Sequence, residues 1–199
     1  LSLKIHRVMS NNVLWMGLVT LIGFPILGYF LSYGVDFTHV IEFLKLSSFT
    51  VIPVGYGLMF GFTYAFLALL FMDAPIFDSL GNRMEQLIKQ LKLTVVKGLF
   101  LSVCAGVGEE LLFRGFVQKS LEKVWNDVTR AILFSSLFFA VIHFNPFWII
   151  QIYFLGVLLG FLAWKTNSII PCIIFHVIIN ATSLFFTSIE DSIETIILW

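Results

Sequence analysis

The chain has 199 residues, 59% of them hydrophobic and only 12% charged, with 12 basic and 12 acidic residues and a formal net charge of zero. A soluble domain carries about 25% charged residues, so this chain has too little charge to cover a water-facing surface, and a lipid bilayer is its expected solvent. The balanced charge leaves no basic stripe to neutralise phosphates, which argues against nucleic acid as a partner.

Six apolar spans follow in chain order, at about 13–33, 49–72, 94–118, 130–145, 147–164 and 168–187. In lipid each segment must satisfy its own backbone, which requires helices, and the alternating strands of a membrane barrel are not seen. The expected fold is therefore all-α: a polytopic transmembrane helical bundle with about six spanning helices, multi-pass in the cell membrane. The first run is too long for a signal-peptide core and long enough to cross the hydrocarbon, so it reads as a retained anchor. Residues 77–93, FDSLGNRMEQLIKQLKL, place Met84, Leu87, Ile88 and Leu91 at helical spacing, which reads equally as an interfacial amphipathic helix or as a solvated loop helix. A second polar stretch runs over 118–130. Pro146 disfavours helical geometry at Asn145, so the fourth and fifth spans are expected to meet in a tight break. The pairs Gly57/Gly61 and Gly156/Gly160 have the small-xxx-small spacing of close helix contacts. The chain divides into N-terminal spans and an amphipathic linker (1–93), a core (94–187) and an acidic, peripheral tail (188–199). Basic residues in the loops fall five on each side (Lys4, Arg7, Arg83, Lys89 and Lys92 against Lys45, Lys119, Lys123, Arg130 and Lys165), so charge bias assigns no orientation.

Three polar stations interrupt this apolar pattern: Glu109-Glu110 with Arg114, then His143, then His176 with Asn180. Charge in hydrocarbon costs about 2.5–3.5 kcal/mol per residue on insertion scales, so such residues are functional candidates by default. At 1.5 Å per helical residue, Glu109 lies ~14 Å, His143 ~20 Å, His176 ~12 Å and Asn180 ~18 Å from one membrane face. That is a similar depth on three antiparallel segments, as a shared cavity would require. Glu110 and Arg114 are i, i+4 and can pair, while Glu109 is turned ~100° away and can point into the cavity as a general base. His176 and Asn180 share a face and supply donors suited to an oxyanion.

Each station alone also has a structural reading. Glu110–Arg114 reads as an intrahelical pair, His143 as a cap on loose carbonyls, and His176 with Asn180 as interhelical glue at ~0.6 kcal/mol per contact. Convergence at one depth is what favours a site. Rival chemistries lack support: there is no H-E-x-x-H, no G-x-S-x-G and no aspartate in any of the six spans. Cys104 and Cys172 have no disulfide or zinc-knuckle spacing and read as small buried hydrophobes; Cys104 lies ~140° around the helix from Glu109. Metal binding by Glu109, His143 and His176 is chemically open at this point.

EELLFR (Glu109 to Arg114), FAVIH (Phe139 to His143) and HVIIN (His176 to Asn180) resemble, in order and spacing, the motifs of the CPBP or Abi family of CAAX proteases and bacteriocin-processing enzymes, which includes the type II CAAX prenyl endopeptidases. The likeness covers residues 94–187. It implies a membrane-embedded endopeptidase in which Glu109 and His143 activate a water, His176 and Asn180 stabilise the oxyanion, and Glu110 and Arg114 hold the architecture. It implies no metal and no cofactor, and a peptide or membrane-protein substrate, prenylated in some members. The prenyl endopeptidases have more spans than the six counted here, which bears on substrate choice more than on the core. The runner-up is a non-catalytic membrane binding or bacteriocin-immunity protein on the same scaffold. A small transporter is a weaker third, since no inverted repeat is present.

Overall fold

The computed structural model describes residues 13–33, 51–70, 94–143 and 149–197, and within these the chain forms six helices and no strand. We label them α1 (13–33), α2 (Val51–Leu70), α3 (95–125), α4 (Val128–Val141), α5 (Ile149–Thr166) and α6 (Ile170–Ile197). The expected amphipathic helix at 77–93 and the Asn145-Pro146 break lie outside the described residues. Two helical stretches, Val13–Leu31 and Ile149–Thr166, are long and apolar enough to cross a membrane, while Val51–Leu67, Val128–Val141 and Ile170–Ser183 form shorter apolar stretches.

Local chemistry accounts for the element ends. Thr94 caps α3 by accepting from the Lys97 amide at 3.4 Å. The stretch 118–130, read from sequence as a polar connection, is helical as far as Trp125 and breaks only at two residues. Asn126 takes the left-handed conformation (φ 49°) that asparagine tolerates. Asp127 then caps α4, its carboxylate accepting from the Arg130 amide at 3.0 Å. A second left-handed residue, Asn167 (φ 48°), ends α5, and the Ser168 hydroxyl accepts from the Ile170 amide to start α6. The acidic stretch beyond 187 is helical as far as Ile197, in continuation of α6.

Two π turns interrupt regular winding. The one at Val19–Gly23 in α1 ends two residues before Pro25, which has no N–H to offer and whose ring crowds the carbonyl of Leu21. The other, Leu111–Val117 in α3, carries Arg114. Single π turns inside α-helices are frequent at functional positions.

The central helix is α6, which packs against α2, α3 and α5; α4 packs on α5, and α1 on α3. One core cluster joins Leu159, Leu162 and Ala163 of α5 to Cys172, Phe175 and Ile179 of α6, with Phe60 and Tyr64 of α2 against it. Another joins Leu112 and Phe113 of α3 to Phe139 of α4. The small residues lie where helices meet. A Cβ added at Gly57 would stand 2.8 Å from the Pro171 carbonyl oxygen, and one at Gly61 2.6 Å from Ile178 Cδ1, so α2 lies directly against α6. Outward faces carry exposed Trp15, Phe62, Val96, Ile150 and Phe154, an apolar exterior that water would not favour.

Candidate functional site

Glu109 and Glu110 close the regular part of α3, and the π turn begins at the next residue. The two neighbouring carboxylates have different surroundings. Glu110 is fully buried, and its Oε1 accepts two hydrogen bonds, from Arg114 Nη1 at 3.0 Å and from His176 Nδ1 at 2.8 Å. The first partner is one turn along α3 and the second is on α6, so one oxygen ties the two helices together. Arg114 is also fully buried; its Nη2 donates to the Gly156 carbonyl of α5 at 2.9 Å, and its guanidinium lies 4.5 Å over the Phe139 ring of α4. A buried charge is tolerated only when paired and hydrogen-bonded, and here an anion, a carbonyl and a ring face share that task.

Gln118, one turn past Arg114, repeats the pattern: its Nε2 donates to the Gly160 carbonyl at 3.0 Å. Two residues four apart on α3 thus reach two carbonyls four apart on α5. The glycines make this approach possible. A Cβ at Gly160 would lie 2.9 Å from Gln118 Oε1, and one at Gly156 3.0 Å from Ser136 Cβ of α4.

Glu109 has no such bonds among the described residues. Its Oε2 is buried and accepts from none of them, and it lies 3.9 Å from both His143 Nε2 and His176 Nε2. Those separations suit ion pairing but exceed a hydrogen bond. Each histidine has its other ring nitrogen committed: His143 Nδ1 lies 2.7 Å from the Phe139 carbonyl oxygen, and His176 Nδ1 bonds to Glu110. A carbonyl only accepts, so His143 Nδ1 carries a hydrogen, and in the neutral form of the ring Nε2 is the bare nitrogen that faces Glu109. Side-chain exposure rises from 0% at Glu110 and 4% at His176 to 13% at Glu109 and 31% at His143. The cluster therefore opens on the His143 side, where α4 ends in the turn at Ile142 and His143.

Phe139 joins the parts. It is buried, meets His143 edge-on at 4.9 Å and His176 at 5.8 Å, packs on Phe113 at 5.1 Å and lies under Arg114. Asn180, one turn past His176 on α6, is half-buried and makes no hydrogen bond among the described residues.

Five of the six residues singled out from sequence thus form one connected cluster: Glu109, Glu110, Arg114, His143 and His176. Asn180 lies next to it on α6 but is not bonded into it. Sequence reasoning did not single out Phe139 or Gln118 for a structural role. The signals were present: Phe139 opens the F-x-x-x-H motif, and Gln118 stands at i+4 from Arg114. Among the described residues, no group of three His, Cys, Asp or Glu side chains is arranged to hold a metal ion. Cys104 is buried and faces α1, since a Cβ on Gly17 would sit 3.2 Å from its Sγ; Cys172 donates its S–H to the Leu159 carbonyl.

Residues 91–182, which include all three motifs, match the family model of Rce1-like proteins, described as type II CAAX prenyl endopeptidase Rce1-like. No curated protein and no solved structure matches the chain.

Proposed function

We propose that the chain, residues 91–182 of which match the Rce1-like family model, is a CAAX-type protease: a multi-pass protein of the cell membrane that hydrolyses a peptide bond within the bilayer, with Glu109 as general base. The supporting observation is the position of Glu109 Oε2, 3.9 Å from the Nε2 of each of two histidines whose Nδ1 atoms are already engaged. A gap of that size between two acceptors suits a water that donates one hydrogen to each. In this reading the water donates to Glu109 Oε2 and to the bare Nε2 of His143.

The proton then passes to Glu109 as the water oxygen bonds to the scissile carbonyl carbon, and the C=O π pair moves onto oxygen. His176 and Asn180 are the donors that would face this oxyanion. As the C–N bond breaks, that proton reaches the departing amine, so that over the cycle one water is consumed and Glu109 ends as the carboxylate. Positioned general-base catalysis contributes typically 10²–10⁴-fold. The substrate class is a peptide or a membrane-protein segment, and the prenyl group named for the family makes a prenylated C-terminus the first to try. The lipid bilayer is the second partner, on account of the apolar exterior.

The test is cleavage of a peptide set, with and without a C-terminal prenyl cysteine, by the full chain in detergent or bilayers. Wild type should cleave and should keep its rate in the presence of a chelator. Glu109→Gln, which keeps the shape and removes the base, should not cleave. Retention of full activity by Glu109→Gln would sink the assignment.

A further inference from the structure

We propose that Glu110, besides bracing Arg114, is a positioning residue for the reaction: it commits His176 to the Nδ1–H tautomer, so that Nε2 is a bare nitrogen that takes up the water-derived proton. This deepens the endopeptidase reading and rests on it.

The argument starts from the sharing of one oxygen. Glu110 Oε1 accepts from Arg114 Nη1 at 3.0 Å and from His176 Nδ1 at 2.8 Å, with all three side chains at 4% exposure or less. Arginine has no acceptor, and as the 3.0 Å ion-pair partner of the always charged Arg114 the Glu110 carboxylate accepts on Oε1. The hydrogen between Glu110 and His176 therefore sits on Nδ1. The ring cannot turn over to exchange its nitrogens without breaking that buried, charge-assisted bond and its edge contact with Phe139, 5.8 Å between centroids at 87°.

With Nδ1 protonated, Nε2 carries a hydrogen only when the ring holds two protons. A neutral His176 thus cannot donate to an oxyanion from the atom that faces Glu109. It becomes a donor once the proton taken from water moves from Glu109 Oε2 to Nε2, a 3.9 Å separation that the substrate and water would span. The ring is then an imidazolium between two carboxylates, and it donates to the substrate oxygen. As the C–N bond breaks, it gives that proton to the leaving amine, so that charge and protons balance over the cycle.

The contrast with His143 is the second observation. Its Nε2 faces the same Glu109 oxygen at the same distance, but the group behind its Nδ1 is the neutral Phe139 carbonyl. Only His176 has an anion behind it that can balance a cationic ring. The charged groups around His176 are Glu109, Glu110 and Arg114, all on α3. Neighbouring Cys172 on α6 is occupied with the Leu159 carbonyl.

The first measurement is ¹⁵N NMR of the full chain with labelled histidine in bilayers, without substrate, His176 being assigned by the signals lost in His176→Gln. The expected result is a protonated Nδ1 for His176. A bare Nδ1 with a protonated Nε2 would overturn the proposal, whatever the protein cleaves. The second is steady-state cleavage by Glu110→Gln and Glu110→Asp. With the carboxylate gone, kcat should fall about 10²–10⁴-fold, the range seen when a histidine loses its tautomer or an acid–base group is lost. KM should stay within a few-fold, and Asp should restore part of kcat. A Glu110→Gln enzyme that folds and keeps its kcat overturns the positioning role. If Glu110→Gln does not fold, the wild-type tautomer still decides. A wild type with protonated Nδ1 that cleaves no peptide overturns the endopeptidase reading and the proton transfer with it, while the Glu110–His176 tautomer stands.

Discussion

The two adjacent glutamates belong to regions of opposite character. Around Glu110 most bonds are already made: an arginine, a histidine, a backbone carbonyl and an aromatic face are engaged at 2.8–3.0 Å or in van der Waals contact and the side chains are buried, with Glu110 Oε2 and Arg114 Nε left without a partner among the described residues. Around Glu109 the polar atoms approach but stop at 3.9 Å, and exposure rises toward His143. Satisfied bonds stabilise the folded state and resist change. Unmade bonds between well-held groups leave room for a water and a substrate, and the protein's folding energy is the source of that arrangement. One residue of helical register separates the two situations.

Substitutions can break or sharpen this contrast. The largest effect should come from Glu109→Gln, which should lower cleavage by about 10²–10⁴-fold while leaving yield and thermal midpoint in detergent close to wild type. Glu110→Ala should do the reverse first: it leaves Arg114 buried without its anion, at a cost of about 3–5 kcal/mol, visible as lost monodisperse protein on gel filtration. Equal yields for these two variants would contradict the division between them. Asn180→Ala tests the least connected member of the proposed site. Loss of one oxyanion donor should lower kcat by about 10²–10³-fold, or 2.7–4 kcal/mol of barrier, with no change in thermal midpoint; an unchanged kcat would remove Asn180 from the site.

Smaller effects belong to the bracing region. Gly160→Ala would place a methyl against Gln118 Oε1 and Ile132. Overpacking of this kind costs about 1–3 kcal/mol, to be read as a lower thermal midpoint with KM unaltered. Gln118→Leu removes both the bond to Gly160 and a buried Oε1 that has no partner. The two changes oppose each other, so stability should move by less than about 1 kcal/mol. A collapse of folding in Gln118→Leu would show that the second rung matters as much as the first.

Much of the site was legible in the one-dimensional pattern because charge is rare here. In a chain with 12% charged residues, glutamate and arginine in an apolar run stand out, and helical periodicity brings Glu110 to Arg114. The glycine pairs marked the α2–α6 and α5 contacts for an equally simple reason, since only a missing side chain lets two helix backbones approach. Other features were hidden. The π turn at Leu111–Val117 follows from no local residue preference we can name. Phe139 looked like one of 23 phenylalanines, and its position under Arg114 and beside both histidines comes from the packing of α4 on α3 and α6. The polar stretch 118–130 appeared to be a connection because its outward residues are charged, yet only Asn126 and Asp127 leave helical geometry.

Hydropathy and spacing are local properties, so the order of amino acids alone determined that the chain is helical and apolar outside, where its helices lie within a few residues, and which few side chains have chemistry to offer. Partner choice is different, since it depends on how helices distant in sequence are rotated against each other. That Glu110 rather than Glu109 receives His176, that Arg114 reaches Gly156 across 42 residues, and that two imidazoles converge on a single carboxylate oxygen were decided only when α3, α4, α5 and α6 packed together. Burial then made the choice binding, because a charge without a partner is costly in a dry interior.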